Sequence, residues 1–270
     1  MDNRPIGVFD SGLGGLSAVK ELKRILPNES ILYFGDTGRV PYGTKSRETL
    51  LKFSAQDMNF LIKNDVKVVV AACGTVSSTA LQLGKSLPVP YFDVIAPTAA
   101  AAAKATENGK VGVIGTSTTV RSESFDRALR EINPELEVFS QACPLFVSLV
   151  ESGYVTDGDE VTLMVAKRYL DSLCAKDIDT LILGCTHFPL IKKATGTVVG
   201  EKVKRIDSGR ETARFLAESL REQGLLCEEN HRPTYSYYVS ETTDGFTNVA
   251  ELFLGGDIDG EVQRIDIEKF

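Results

Sequence analysis

The chain is 270 residues long, 43% hydrophobic and 25% charged, a balance that suits one large or two small packed domains and excludes a disordered chain. Its net charge of −7 argues against a nucleic-acid or membrane-surface partner, because binding to anionic polymers and lipids needs clustered basic residues. The longest strongly apolar runs, VKVVVAAC at 66–73 and PTAAAAA at 97–103, fall well short of the ~20 residues that span a bilayer.

The first residues, MDNRPIGVFDSG, carry no apolar signal core and run straight into a predicted strand. Five cysteines stand at 73, 143, 174, 185 and 227, an odd number with no CxxC pair, so the expectation is free thiols in a reducing cytoplasm.

Taken in chain order, a strand at 6–9 leads into the turn DSGLGG. Leu16, Val19, Leu22 and Leu26 then share one helix face. A strand at 30–34, the loop GDTGRVPYG and a helix at 47–64 follow. The continuous apolar run at 66–71 reads as a strand covered on both faces and ends at Cys73. Further strands are predicted at 89–92, 111–114, 137–140, 180–184 and 204–207, with helices between them. A helix at 209–223, an alternating TYSYYVS run and a helix near 247–253 close the chain. Strands alternating with helices predict an α/β fold with mainly parallel sheets, whose ligands sit at the carboxyl ends of the strands.

A weak internal repeat runs through this order. IGVFDSG at 6–12 resembles VGVIGTS at 111–117, and VVVAACGT at 68–75 resembles LILGCTH at 181–187. Two motifs recurring in the same order predict two similar halves. Halves related by a pseudo-two-fold axis would present Cys73 and Cys185 to a shared cleft from opposite sides.

Each of these thiols follows a buried strand and precedes a helix, where backbone N–H groups and the helix dipole lower a thiol pKa. His187 lies two residues beyond Cys185. A strand-end cysteine with a nearby histidine reads as a nucleophile, a metal site or an acid/base pair. Asp10 and Ser11 end the first strand beside glycines that permit close approach, and the absence of a P-loop lysine speaks against a nucleotide phosphate site. The hydroxyl run at 116–119 suits a small carboxylate or simple helix capping.

The motifs FDSGLGG, GDTGRVPYGTKS, AACGT, GTSTT and GCTHFP, in this order, closely resemble the glutamate racemases of the aspartate/glutamate racemase superfamily over nearly the whole chain. The resemblance implies cofactor-independent interconversion of L- and D-glutamate for peptidoglycan synthesis. It implies two α/β domains facing an active-site cleft, here 1–97 plus 207–270 and 98–206. It matches Cys73 and Cys185 to the two catalytic cysteines. It matches Asp10, Ser11, Tyr42, Gly43, Thr75, Thr186 and His187 to substrate-contact positions, and Thr118 and Thr119 to carboxylate-binding hydroxyls. Glu151, in PLFVSLVES, matches the glutamate that assists near His187. Asp10 and His187 would tune the two thiols from their own sides. The expected partner is glutamate alone; a homodimer is left open.

One departure stands out. The family usually has Cys-Asn-Thr at the first cysteine, whereas this chain has Cys73-Gly74-Thr75, which keeps the backbone N–H but removes a side-chain amide from the substrate site. Gly74 motivates the alternative of a racemase for aspartate or another small acid. An alternative of another class is a non-catalytic binder of small acids. The expectation for Gly74→Asn is an intact fold with a changed Michaelis constant.

Overall fold

The apolar runs become strands because both faces of each are covered. In the computed structural model, which describes residues 1–241 and 246–270, strands β1 (Ile6–Asp10), β2 (Ile31–Gly35) and β3 (Val68–Ala71) are buried along their whole length. β4 (Tyr91–Asp93), β5 (Lys110–Gly115), β6 (Glu137–Ala142), β7 (Thr180–Leu183), β8 (Lys204–Asp207), β9 (Tyr235–Val239) and β10 (Glu261–Arg264) complete the set. They form two sheets, one ordered β10-β9-β2-β1-β3-β4 and the other β6-β5-β7-β8. Every strand pairing among the described residues is parallel. The carboxyl ends of β1, β3, β5 and β7 therefore carry the four turns that the sequence singles out.

The polar starts of the helices are supplied locally. Ser46, Thr116 and Asp207 accept from the backbone N–H three residues on, capping the helices Arg47–Lys63, Ser117–Arg121 and Ser208–Glu222. β9 inserts beside β2 and brings the end of the chain back onto the first sheet. A buried ion pair helps hold that return. Lys67 Nζ donates to Glu29 at 2.5 Å and to the carbonyls of Asp2 and Leu225 at 2.8 Å, while Glu29 accepts from the Cys227 N–H at 2.9 Å. With all these partners in place, removing either charge would leave the other buried and alone.

The sequence reading differs from the structure at two ends of the first sheet. β3 begins at Val68 rather than at 66, and β4 occupies Tyr91–Asp93 rather than 89–92. β10 has no counterpart in the reading: Glu261, Gln263 and Arg264 are exposed on the sheet edge, so the segment shows no apolar alternation. No helix of the described residues is long and apolar enough to cross a membrane.

Candidate active site

One cleft of about 480 Å³ lies where the carboxyl ends of the two sheets meet. Ser11 and Gly12 reach it from the turn after β1, the 40–44 loop from beyond β2, and Cys73, Gly74 and Thr75 from the turn after β3. The second sheet contributes Thr116 and Ser117 after β5, the segment 144–148 with Glu151 after β6, and Gly184, Cys185, Thr186 and His187 after β7. Cross-connections hold the two sides in register. Ser17 Oγ donates to the Thr186 carbonyl at 2.9 Å, Thr118 Oγ1 donates to the Gly43 carbonyl at 2.7 Å, and the hydroxyls of Thr75 and Thr116 lie 3.1 Å apart.

Gly14 makes the close approach possible. A Cβ there would stand 2.2 Å from Thr186 Oγ1 and 2.5 Å from the His187 ring. Gly74 meets the same demand in the first sheet, since its Cβ would fall 2.4 Å from the Gly184 carbonyl oxygen. Its backbone starts the helix Gly74–Thr79 and lies outside the left-handed region. Proximity, not backbone angle, favours glycine here. The expectation that Gly74→Asn leaves the fold intact meets that contact, which requires a local shift of the Gly184 carbonyl.

The two thiols have different surroundings. Cys73 caps the helix Gly74–Thr79, with Sγ 3.5 Å from Ser11 Oγ. Burial, with the Asp10 charge adding to it, pushes this thiol up to about 12. That is opposite to the lowering expected from a strand-to-helix junction; a helix of six residues does not offset the loss of water. Asp10 sits behind the cleft. Its Oδ2 accepts from the N–H groups of Gly12 at 3.2 Å and Gly15 at 3.0 Å, and its Oδ1 is buried without a hydrogen-bond partner.

Cys185 Sγ lies 3.8 Å from His187 Nδ1, and His187 Nε2 lies 2.9 Å from Glu151 Oε1. Burial works against the charged imidazole, but the contacts with Cys185 and Glu151 prevail and raise His187 to about 10. These contacts favour the imidazolium form of the ring. The edge of Phe253, from the helix Phe246–Leu254, packs on it with centroids 5.1 Å apart.

Of the residues singled out in the sequence, Ser11, Tyr42, Gly43, Cys73, Gly74, Thr75, Glu151, Cys185, Thr186 and His187 line this cleft together. Asp10, Thr118 and Thr119 are not on its wall. The Thr118 hydroxyl is engaged with Gly43, and that of Thr119 lies 3.0 Å from Thr116. Thr116 and Ser117 face the cleft instead. The Tyr42 hydroxyl points away from it, into a buried pair of carboxylates, so this residue presents other atoms to the cleft. Pro144, Leu145, Val147 and Ser148 also line it, and no polar pattern in the sequence marks them. Among the described residues no group of three His, Cys, Asp or Glu is arranged to hold a metal ion.

Comparison with known proteins agrees with this geometry. The profile of the family described as Asp/Glu/Hydantoin racemase matches residues 6–216. The chain belongs to that family. A glutamate racemase from Geobacter metallireducens is 47% identical over 98% of this chain and 97% of its own length. The crystal structure of a glutamate racemase isoform from Bacillus anthracis superimposes with a TM-score of 0.93 at 38% identity, covering 98% of both chains. A glutamate racemase from Francisella tularensis, solved in complex with D-glutamate, gives a TM-score of 0.92 at 40% identity over 100% of both chains. The racemase family thus accounts for the two-sheet architecture and for a cleft fed by both sheets.

Proposed function

We propose that this chain interconverts L- and D-glutamate without a cofactor, with Cys73 and Cys185 as acid/base groups on opposite faces of Cα. The observation that carries the reading is the arrival of two thiols, one from each sheet, in a single cleft. The near full-length relatedness to glutamate racemases supports the choice of substrate.

Racemisation removes a proton from one face of Cα and adds one to the other. In this reading a Cys185 thiolate takes the Cα proton of L-glutamate, the electron pair stays on the carbanion, and the Cys73 thiol gives its proton to the opposite face. The D-to-L direction reverses the roles. Burial keeps Cys73 as a thiol at neutral pH, as a proton donor requires. The His187 imidazolium stabilises negative charge on the neighbouring sulfur, and Glu151 orients the ring. Hydroxyls of Ser11, Thr75, Thr116 and Thr186 surround the space where the substrate's carboxylates would lie, and an enclosed site strengthens such contacts on the developing carbanion. D-Glutamate made this way would enter cell-wall peptidoglycan, with the enzyme acting in the cytoplasm.

The test is polarimetric turnover of each enantiomer of glutamate and aspartate by chelator-treated protein. Glutamate racemisation in both directions is expected. Turnover of aspartate with none of glutamate would move the assignment to the shorter acid, and binding without turnover would leave a small-acid receptor.

A further inference from the structure

Behind the 40–44 loop lies a cluster of titratable groups that the racemisation chemistry does not use. Asp36 and Asp57 are both fully buried, Asp36 just beyond β2 and Asp57 on the helix Arg47–Lys63. Arg39 joins them, with Nε 2.6 Å from Asp36 Oδ2 and an Nη 3.0 Å from Asp57 Oδ1, while its other Nη reaches Gln56 and Glu268. The guanidinium carbon lies over the Phe53 ring, 4.0 Å from its centre. The Tyr42 hydroxyl inserts between the carboxylates, in contact with Asp36 Oδ2 and 3.0 Å from Asp57 Oδ2.

The proton count at that hydroxyl is decisive. Two carboxylate oxygens contact one phenol oxygen, and a phenol has one hydrogen to donate. The second contact needs a proton of its own. Asp36 is the better anion, because it accepts from Arg39 and Tyr42 and also from Ser240 Oγ at 2.7 Å, whose oxygen in turn accepts from the Gly38 N–H at 2.9 Å. We propose that Asp57 is a neutral carboxylic acid that donates to the Tyr42 oxygen, and that it is a positioning residue for the 40–44 wall of the active site.

The surroundings agree. Burial, and next the Asp36 charge, drive Asp57 well above the usual carboxylate range, opposed by Arg39 and by the Tyr42 contact. Asp10 at the end of β1 adds a further negative charge. Glu268 reaches the cluster through Arg39 and Gln56, and its other neighbour is Lys52, on the same helix as Asp57. The helix Gly74–Thr79 has no titratable side chain, and Leu81–Lys85 has only Lys85 in its last turn. With Asp57 neutral, the buried charges reduce to one Asp36–Arg39 pair. With Asp57 ionised, two anions would share one phenol proton. The 40–44 loop is fixed on its other side by Thr118, so a loosened Tyr42 would displace Gly43 and the wall it forms.

The functional part of this inference rests on the racemase reading; the protonation of Asp57 does not. The experiment pairs an infrared measurement with kinetics. At pH 7 the protein should show the carbonyl stretch of a buried protonated carboxyl, absent from Asp57→Asn. Ionisation of Asp57 should raise KM for glutamate by up to about tenfold per pH unit on the alkaline side, with kcat less affected. Asp57→Asn keeps a neutral donor and should hold KM level over that range. Asp57→Leu should raise KM about tenfold at every pH, because the Tyr42 oxygen loses its donor and one Arg39 nitrogen loses its acceptor. A missing carboxyl band in folded protein at pH 7, or an alkaline rise in KM that persists in Asp57→Asn, would overturn the proposal. A carboxyl band in a protein that does not racemise glutamate would sustain the protonation and refute the racemase reading instead.

Discussion

The two thiols of the cleft sit at equivalent strand ends, yet their surroundings work in opposite senses. Cys73 is buried beyond β3, has only neutral hydrogen-bond partners in the Ser11 hydroxyl and the backbone of Ser11 and Val76, and has the negative Asp10 behind it. Cys185 faces an imidazolium that is itself tied to Glu151. Burial and an anion keep the first sulfur protonated; a cation sits ready for charge on the second. A repeat in the backbone therefore does not impose a repeat in the electrostatics. In the two-thiol reading this arrangement, a Cys73 donor and a Cys185 acceptor, is the starting form for L-to-D, and D-to-L starts from the form with the proton on the other sulfur.

The largest expected effect comes from removing either thiol. Cys73→Ser and Cys185→Ser should each lower kcat by about 10³-fold or more, since each removes an acid/base group that serves both directions. Cys174→Ser and Cys227→Ser, outside the cleft, should keep near wild-type rates. Near wild-type turnover in either cleft mutant would remove that thiol from the mechanism.

Gly74→Asn comes next. Its Cβ would meet the Gly184 carbonyl, so the two sides of the cleft must separate there. The expected cost is about 1–3 kcal/mol, seen as a lower denaturation midpoint together with a raised KM in both directions. An unchanged midpoint with a lower KM would show that the cleft has room for the amide.

His187→Asn should sharpen the contrast between the thiols. The L-to-D chemical step should slow more than D-to-L, read as a larger Cα-deuterium isotope effect in that direction. The equilibrium between enantiomers is fixed, so unequal losses in kcat must be matched in KM. The same variant tests the charge of the ring. The folded protein holds His187 at about 10, above its ordinary 6.5, so the folded state binds the extra proton. The stability this provides is complete below pH 6.5, declines above it, and is gone once pH passes about 10. Urea midpoints of wild type and His187→Asn should accordingly differ most at pH 6 and converge towards pH 10.

Glu151→Gln should have the smallest effect. The glutamate side chain is half exposed, so its pairing with His187 is screened. A loss of up to about fivefold in the L-to-D direction is expected, matching the roughly 0.2–1 kcal/mol of a solvent-exposed ion pair. A loss as large as that of His187→Asn would make Glu151 part of the proton path.

The sequence exposes the site where chemistry and fold coincide. A buried parallel strand that ends in Cys-Gly-Thr or Cys-Thr-His places its thiol at a strand end whatever the rest of the chain does, and the repeat brings two such ends together. Side-chain direction is less legible. Four consecutive hydroxyl-bearing residues at 116–119 look alike in sequence, and only the phase of the short helix sends Thr116 to the cleft and Thr118 to Gly43. Tyr42 was readable as a loop residue near the substrate, but its hydroxyl answers to Asp57, a partner 15 residues away on a helix. The pKa direction at Cys73 depends on burial, which a local motif does not encode. β10 escaped because an edge strand needs no apolar alternation.

The most direct test of two thiols acting from opposite faces is the fate of the Cα hydrogen at low conversion in heavy water. Each enantiomer of glutamate is incubated briefly, and substrate and product are separated and weighed by mass spectrometry. The account predicts deuterium at Cα of the product and protium in the recovered substrate, in both directions, because the sulfur that takes the proton is not the one that returns it. Early deuterium in the recovered substrate at the same rate as in the product, or transfer of the substrate's own hydrogen to the product, would contradict it.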